Sequence, residues 1–119
     1  MRSMSDMKVT VGGPFEAEAS RQFIDAWHRA ERGETFHERH LAFENWDTLA
    51  RVLTGKRVEL LGYVRRNNVT SVRALAKALN RDYSNVHADV KALAAAGLLD
   101  ATSKGVCADY DAIETKIAI

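Results

Sequence analysis

Only one cysteine, Cys107, stands in the 119 residues, so no disulfide can form within the chain and its fold must rest on core packing. That usage suits a reducing compartment, and a cytoplasmic location is the expectation. No apolar run approaches the roughly 18–20 residues that span a bilayer, and no signal-peptide pattern opens the sequence, so no membrane association is expected. A charge excess of one sign is missing too: 17 Lys+Arg face 16 Asp+Glu, a balance that argues neither for nor against nucleic acid. There is no G-x-S-x-G elbow, P-loop, dinucleotide fingerprint or convincing carboxylate pair, so neither an enzyme nor a cofactor is expected. Repeats and low-complexity stretches are absent as well. With 46% hydrophobic and 28% charged residues, what remains is one domain's worth of globular chain.

The informative stretch is Ser71–Leu99, SVRALAKALNRDYSNVHADVKALAAAGLL. Val72, Leu75, Ala76 and Leu79 recur at i, i+3, i+4 and i+7, one face of a helix, and Ser71 is a natural N-cap for it. Val86, Val90 and Leu93 share a face of a second helix that Asp82 can cap and Gly97 can end in the left-handed conformation. Two helices joined by Asn80–Tyr83 fit a helix-turn-helix, whose second helix has the width of the DNA major groove. The same spacing also fits an ordinary helical hairpin in an unrelated core.

Charge is distributed unevenly along the chain. Residues 1–45 carry 6 Lys+Arg against 8 Asp+Glu, a net of −2. Residues 51–91 carry 9 (Arg51, Lys56, Arg57, Arg65, Arg66, Arg73, Lys77, Arg81, Lys91) against 3 (Glu59, Asp82, Asp89), a net of +6. A basic segment on top of a helix-turn-helix pattern is the footprint expected where phosphates must be neutralised. After the helices, Leu98–Thr102 reads as a short strand, Ser103-Lys104-Gly105 as a turn with Gly105 at positive φ, and Val106 onward as a returning strand. Ile113, Thr115, Ile117 and Ile119 alternate with Ala112, Glu114, Lys116 and Ala118 in the manner of a half-buried strand.

A β-hairpin directly after a recognition helix is a wing, and the sequence here resembles the winged helix-turn-helix transcriptional regulators of the broadly MarR-like kind. The residues that carry the resemblance are LTGKRVELLGYVRR (Leu53–Arg66), SVRALAKALNRDYSNVHADVKAL (Ser71–Leu93) and AGLL (Ala96–Leu99). More closely, it resembles a group of small bacterial and archaeal predicted regulators, over about residues 43–119. The resemblance implies DNA binding as a dimer, and for some relatives a role as autoregulating antitoxin beside a toxin gene. The sequence departs from common usage at Gly55, where a helix-starting Pro often follows the cap Thr54, and at Ala88, where Arg or a polar side chain often faces the groove.

Ahead of the basic segment, Met7–Val11 alternates like a short strand, after a loose tail expected over Met1–Asp6. Pro14 suits the first position of a helix running from Phe15 to about Arg32, with Ala19, Phe23, Trp27 and Ala30 at helical spacing and Gly33 ending it. His40–Glu44 reads as another strand. Trp46–Leu53 reads as a helix with Leu49, Val52 and Leu53 on one face, and a further helix after Thr54 puts Val58, Leu61 and Val64, with Leu60, against the helix-turn-helix. His37 and His40 invite a metal reading if they share a helical face, but no ligand set accompanies them and no metal is expected. Cys107 has neither a helix N-terminus nor a basic neighbour to lower its pKa, so a small packed or inert cysteine is expected rather than a redox sensor.

The expected fold is therefore α+β and mainly helical: a strand–helix–strand extension over 1–45 and a winged helix-turn-helix over 46–119. The expected function is a sequence-specific DNA-binding regulator, a homodimeric repressor. The alternatives are a DNA-binding antitoxin with a toxin partner, and a winged-helix protein–protein module without DNA binding. For duplex DNA the expected contacts are Ser84, Asn85, His87, Ala88 and Lys91 on the reading helix, with Tyr83 at its start and Ser71, Arg73, Lys77, Arg81 and Lys104 towards the backbone. Asn85 is the candidate for adenine, and Ala88 offers only a methyl contact to thymine. The expected dimer surface is Met7–Val11 with the helix carrying Phe23 and Trp27, and Ile113–Ile119 competes with it.

Overall fold

Alternation of Met7, Val9 and Val11 with Asp6, Lys8 and Thr10 sends successive side chains to opposite faces of a strand, β1 (Ser5–Val11), and all three apolar residues are buried. The computed structural model describes residues 5–12 and 37–119. The chain divides into two units, one of residues 1–46 with 111–119 and one of residues 47–110. The architecture is α+β, with four helices and two small sheets among the described residues.

In the first unit β1 is the middle strand of a sheet ordered β2-β1-β5, where β2 is His37–Phe43 and β5 is Ala112–Ile117. Both pairings are parallel. Met7, Val9 and Val11 align with Arg39, Leu41 and Phe43 on one side and with Ile113, Thr115 and Ile117 on the other. Directly paired residues share a face, so these three rows form the face that buries Phe43 and half-buries Leu41 and Ile113. The opposite face is polar and carries an ion pair between Lys8 and Glu114.

Four expectations for this unit change. The strand starts at Ser5, so Ser5 and Asp6 belong to it rather than to a tail. The pair His37 and His40 lies on a strand, where the helical spacing that would bring them together does not exist. The C-terminal strand, read with residues 46–119, joins the sheet of the first unit. Finally, β1 is hydrogen-bonded on both sides and has no free edge to offer a second chain. The helix expected over Phe15–Arg32, with Phe23 and Trp27, lies outside the described residues.

The second unit is helical, with one hairpin. Helix α1 (Trp46–Val52) buries Leu49, and α2 (Gly55–Arg66) buries Leu60, Leu61 and Val64. Thr54 accepts the Arg57 amide at 3.3 Å, the capping bond its position predicts. Val58 is 52% exposed, which contradicts its expected place in the stripe. Helix α3 (Val72–Leu79) is capped by Ser71, whose hydroxyl accepts from the Ala74 amide at 3.0 Å, and it buries Leu75 and Ala76. Helix α4 (Tyr83–Ala95) buries Val86, Val90 and Leu93 as expected.

Both motif helices end in the same way. At α3 the Arg81 and Asn80 amides return to the Ala76 and Lys77 carbonyls, with Asn80 left-handed at φ 53°. At α4 the Leu98 and Gly97 amides return to Leu93 and Ala94, with Gly97 at φ 85°. These are paired Schellman closures, and Leu93 and Leu98, both fully buried, supply the accompanying apolar contact of the second. The chain then forms the antiparallel hairpin β3 (Asp100–Thr102) and β4 (Gly105–Cys107). A bridge from Val106 to Val69 fastens β4 on its other side. Cys107 is exposed, so of the expected packed or inert cysteine the packed form is not found.

Candidate functional site

The residues singled out in the second unit gather around α4. Burying Val86, Val90 and Leu93 turns Tyr83, Ser84, Asn85, His87, Ala88 and Lys91 outward, and all six are exposed. Arg73 and Lys77 are exposed on α3, and the Arg73 guanidinium lies 4.9 Å from the centre of the Tyr83 ring, a cation–π contact. Tyr83 also stands 5.8 Å from the His87 ring, centroid to centroid, tilted by 34°. Along the helix, His87 and Lys91 border a shallow groove with Val72, Val90, Ala94 and Ala101, so the outer side of α4 runs beside the hairpin. Lys104 is exposed at the hairpin tip, where its amide is held by the Thr102 hydroxyl at 3.2 Å.

Three expected contact residues are already engaged. Ser71 caps α3. The Ser84 hydroxyl donates to the Asp82 carboxylate. That bond, together with the Asn85 and Ser84 amides nearby, holds Asp82 below the usual carboxylate range. Asp82 makes no strict capping hydrogen bond itself, although it places a negative charge at the N-terminus of α4. Arg81 is paired with Asp89 at 2.7 Å and is about one-fifth exposed, so its charge is not held out for a phosphate.

Asp89 was missed in the sequence, and it organises the centre of this unit. Its carboxylate accepts from Arg81 on one oxygen and from Arg57 Nε at 3.0 Å on the other, and its side chain is only 14% exposed. Burial pushes its pKa up, but the two guanidinium hydrogen bonds and their charges outweigh that, and the net shift is downward. Arg57 also donates to the Arg51 and Val52 carbonyls at 2.9 and 3.1 Å, closing the end of α1. One ion cluster thus ties together α1, α2, α4 and the turn that sets the angle between α3 and α4.

A sequence signal for it exists. Arg57, Leu60, Leu61 and Val64 follow i, i+3, i+4, i+7, as do Val86, Asp89, Val90 and Leu93. Each helix carries one charge inside its apolar stripe, and the two charges have opposite sign. The true stripe of α2 begins at Arg57, which explains why Val58 faces water.

Among the described residues no cluster of three or more His, Cys, Asp or Glu can hold a metal, and no helix is long and apolar enough to cross a membrane. No curated protein and no solved structure matches the chain. The HVO_A0114 family matches residues 52–115, more than half of the sequence, from the end of α1 into β5. The chain belongs to the HVO_A0114 family.

Proposed function

We propose that residues 47–110 form a winged helix-turn-helix that binds duplex DNA, with α4 as the reading helix and the β3–β4 hairpin as the wing, and that the protein is a homodimeric transcriptional regulator. The observation that carries this reading is the outer face of α4. Tyr83, Ser84, Asn85, His87, Ala88 and Lys91 are exposed there, and the Arg73 and Lys77 cations of α3 and Lys104 at the hairpin tip are exposed as well. An ordinary helical hairpin in a core would bury that face.

Asn85, in the first turn of α4 and exposed, is the residue we assign to base-edge contact, since its amide can pair bidentately with adenine. Arg73, Lys77 and Lys104 act as phosphate contacts that position the helix without reading sequence. A gel-shift titration against the gene's own upstream region tests the reading. Asn85→Ala should cost on the order of 1–3 kcal/mol on a cognate site and far less on random duplex. Equal losses on both would make Asn85 a backbone contact, and no binding to any duplex at low salt would refute the proposal.

A further inference from the structure

The sheet of the first unit has an unpaired edge at β5, which pairs only with β1 among the described residues. The orientation of that edge follows from one bond: the Ala118 amide donates to the Val11 carbonyl at 2.9 Å. In a parallel pairing alternate residues turn both main-chain groups to the same neighbour. Residues 114, 116 and 118 therefore face β1, and Ile113, Thr115 and Ile117 point their amides and carbonyls away from it. Neither a proline nor a bulge interrupts the segment, and its two charges, Glu114 and Lys116, are of opposite sign. Ile117 is 49% exposed and Ile119 fully so.

We propose that this edge pairs with the same edge of a second copy, antiparallel, about a twofold axis through Thr115. The sequence around that residue, Ile113-Glu114-Thr115-Lys116-Ile117, is symmetric in type and inverted in charge. In that register Thr115 exchanges both main-chain hydrogen bonds with the partner subunit's Thr115, and Ile113 does so with the partner subunit's Ile117. Glu114 then falls opposite the partner subunit's Lys116 in the wider-bonded position, where cross-strand side chains approach most closely. The row Lys8, Glu114, Lys116 of the second copy alternates in sign across the joint. On the other face the isoleucines continue the apolar rows of Met7, Val9 and Val11 into a sheet of doubled width. Centring the axis on Glu114 or Lys116 would set like charges opposite each other and turn the wrong main-chain groups outward. The opposite edge, β2, reads His-Glu-Arg-His-Leu-Ala-Phe and has no such symmetry.

This pairing stands on the sheet alone, and its test uses no DNA. Sedimentation equilibrium of the full chain at about 50 µM should give twice the 13.2 kDa chain mass. Thr115→Pro removes only an outward amide, leaving the bonds to β1, and should give a folded monomer. Glu114→Lys and Lys116→Glu should each weaken the dimer about tenfold or more, because each sets like charges opposite. Mixed together, these two variants restore opposite charges at both 114–116 pairs across the joint and should form a heterodimer, which a merely structural role for either residue cannot produce. A monomeric wild type, or an undiminished dimer of Thr115→Pro, overturns the pairing. Should Thr115→Pro fail to fold, the mixing experiment decides, and absence of the heterodimer overturns the register. A monomer that binds duplex DNA would overturn this proposal and the homodimeric part of the proposed function, and would leave DNA binding by α4 in place.

Discussion

Asp89→Ala removes the shared acceptor of Arg57 and Arg81 and leaves two guanidinium groups, each about one-fifth exposed, without a counter-charge. Hydrogen bonds to charged groups contribute about 1.5–3 kcal/mol each, so the two bonds set a gross range of about 3–6 kcal/mol. Water still reaches part of the cluster and recovers some of that, and breaking a largely buried pair costs about 3–5 kcal/mol in general. An expected loss of about 3 kcal/mol follows. Asp89→Asn keeps the shape and one acceptor oxygen and should lose about 2 kcal/mol. Urea unfolding followed by the helical circular-dichroism signal reads this directly, as a midpoint lowered by about 2–3 M if m is about 1 kcal/mol/M.

The pH dependence supplies a second handle on the same residue. The carboxyl pKa is lowered in the folded chain, so its contribution is fully present above the ordinary Asp value and is lost as pH falls through the folded one. The gap between wild type and Asp89→Asn should therefore be constant near neutrality and close below about pH 4. If α4 faces phosphates, Asp89→Asn also releases positive charge beside it. Non-specific DNA affinity at low salt should then hold or rise while stability falls. A change in stability below about 0.5 kcal/mol, the range of an exposed pair, would refute the reasoning.

Gly105→Ala should be more damaging than any surface change in the hairpin. A Cβ there would lie 2.0 Å from the Val69 carbonyl oxygen on a backbone at φ 133°, so a loss of about 3 kcal/mol or more in thermal or urea unfolding is expected. Tyr110→Phe should cost about 1–2 kcal/mol, because the buried hydroxyl bonds the Leu98 carbonyl at 2.7 Å. Asn80→Gly should be neutral or slightly stabilising, whereas Asn80→Ala should lose about 1 kcal/mol at φ 53°, both read from the same unfolding curves. The Arg73→Ala, Lys77→Ala double variant should flatten the salt dependence of DNA binding by about 2 in log–log slope, and an unchanged slope would remove both from the interface.

The second unit was legible in the sequence wherever its signals were local. Ser71 and Thr54 announce helix starts, Gly97 and Gly105 announce positive φ, and the buried sets Leu75/Ala76 and Val86/Val90/Leu93 follow from a period of 3.6. The left-handed Asn80 was hidden inside a generic polar bend, because asparagine reaches that conformation without advertising it as glycine does. Asp89 and Arg57 enter the sequence reading only as members of the charge balance of residues 51–91, since composition does not say which charges meet. The parallel sheet was illegible for a different reason. Alternation identifies β1, β2 and β5 as strands but carries no information about which pairs with which, and β1 and β5 are about a hundred positions apart.

That separation has a consequence for how the molecule is made. On the ribosome β1 emerges before the whole of residues 47–110 and β5 after it, yet the two must lie side by side. The contacts of the intervening unit span shorter separations in sequence than the β1–β5 pairing, as with Arg57 to Asp89 and Val69 to Val106, so it can settle first. Until β5 arrives, the middle strand of the sheet waits with one side unsatisfied. Nascent chains in which β1 has emerged and β5 has not should therefore be the most prone to pair with the wrong strand, and emergence of β5 should end that exposure.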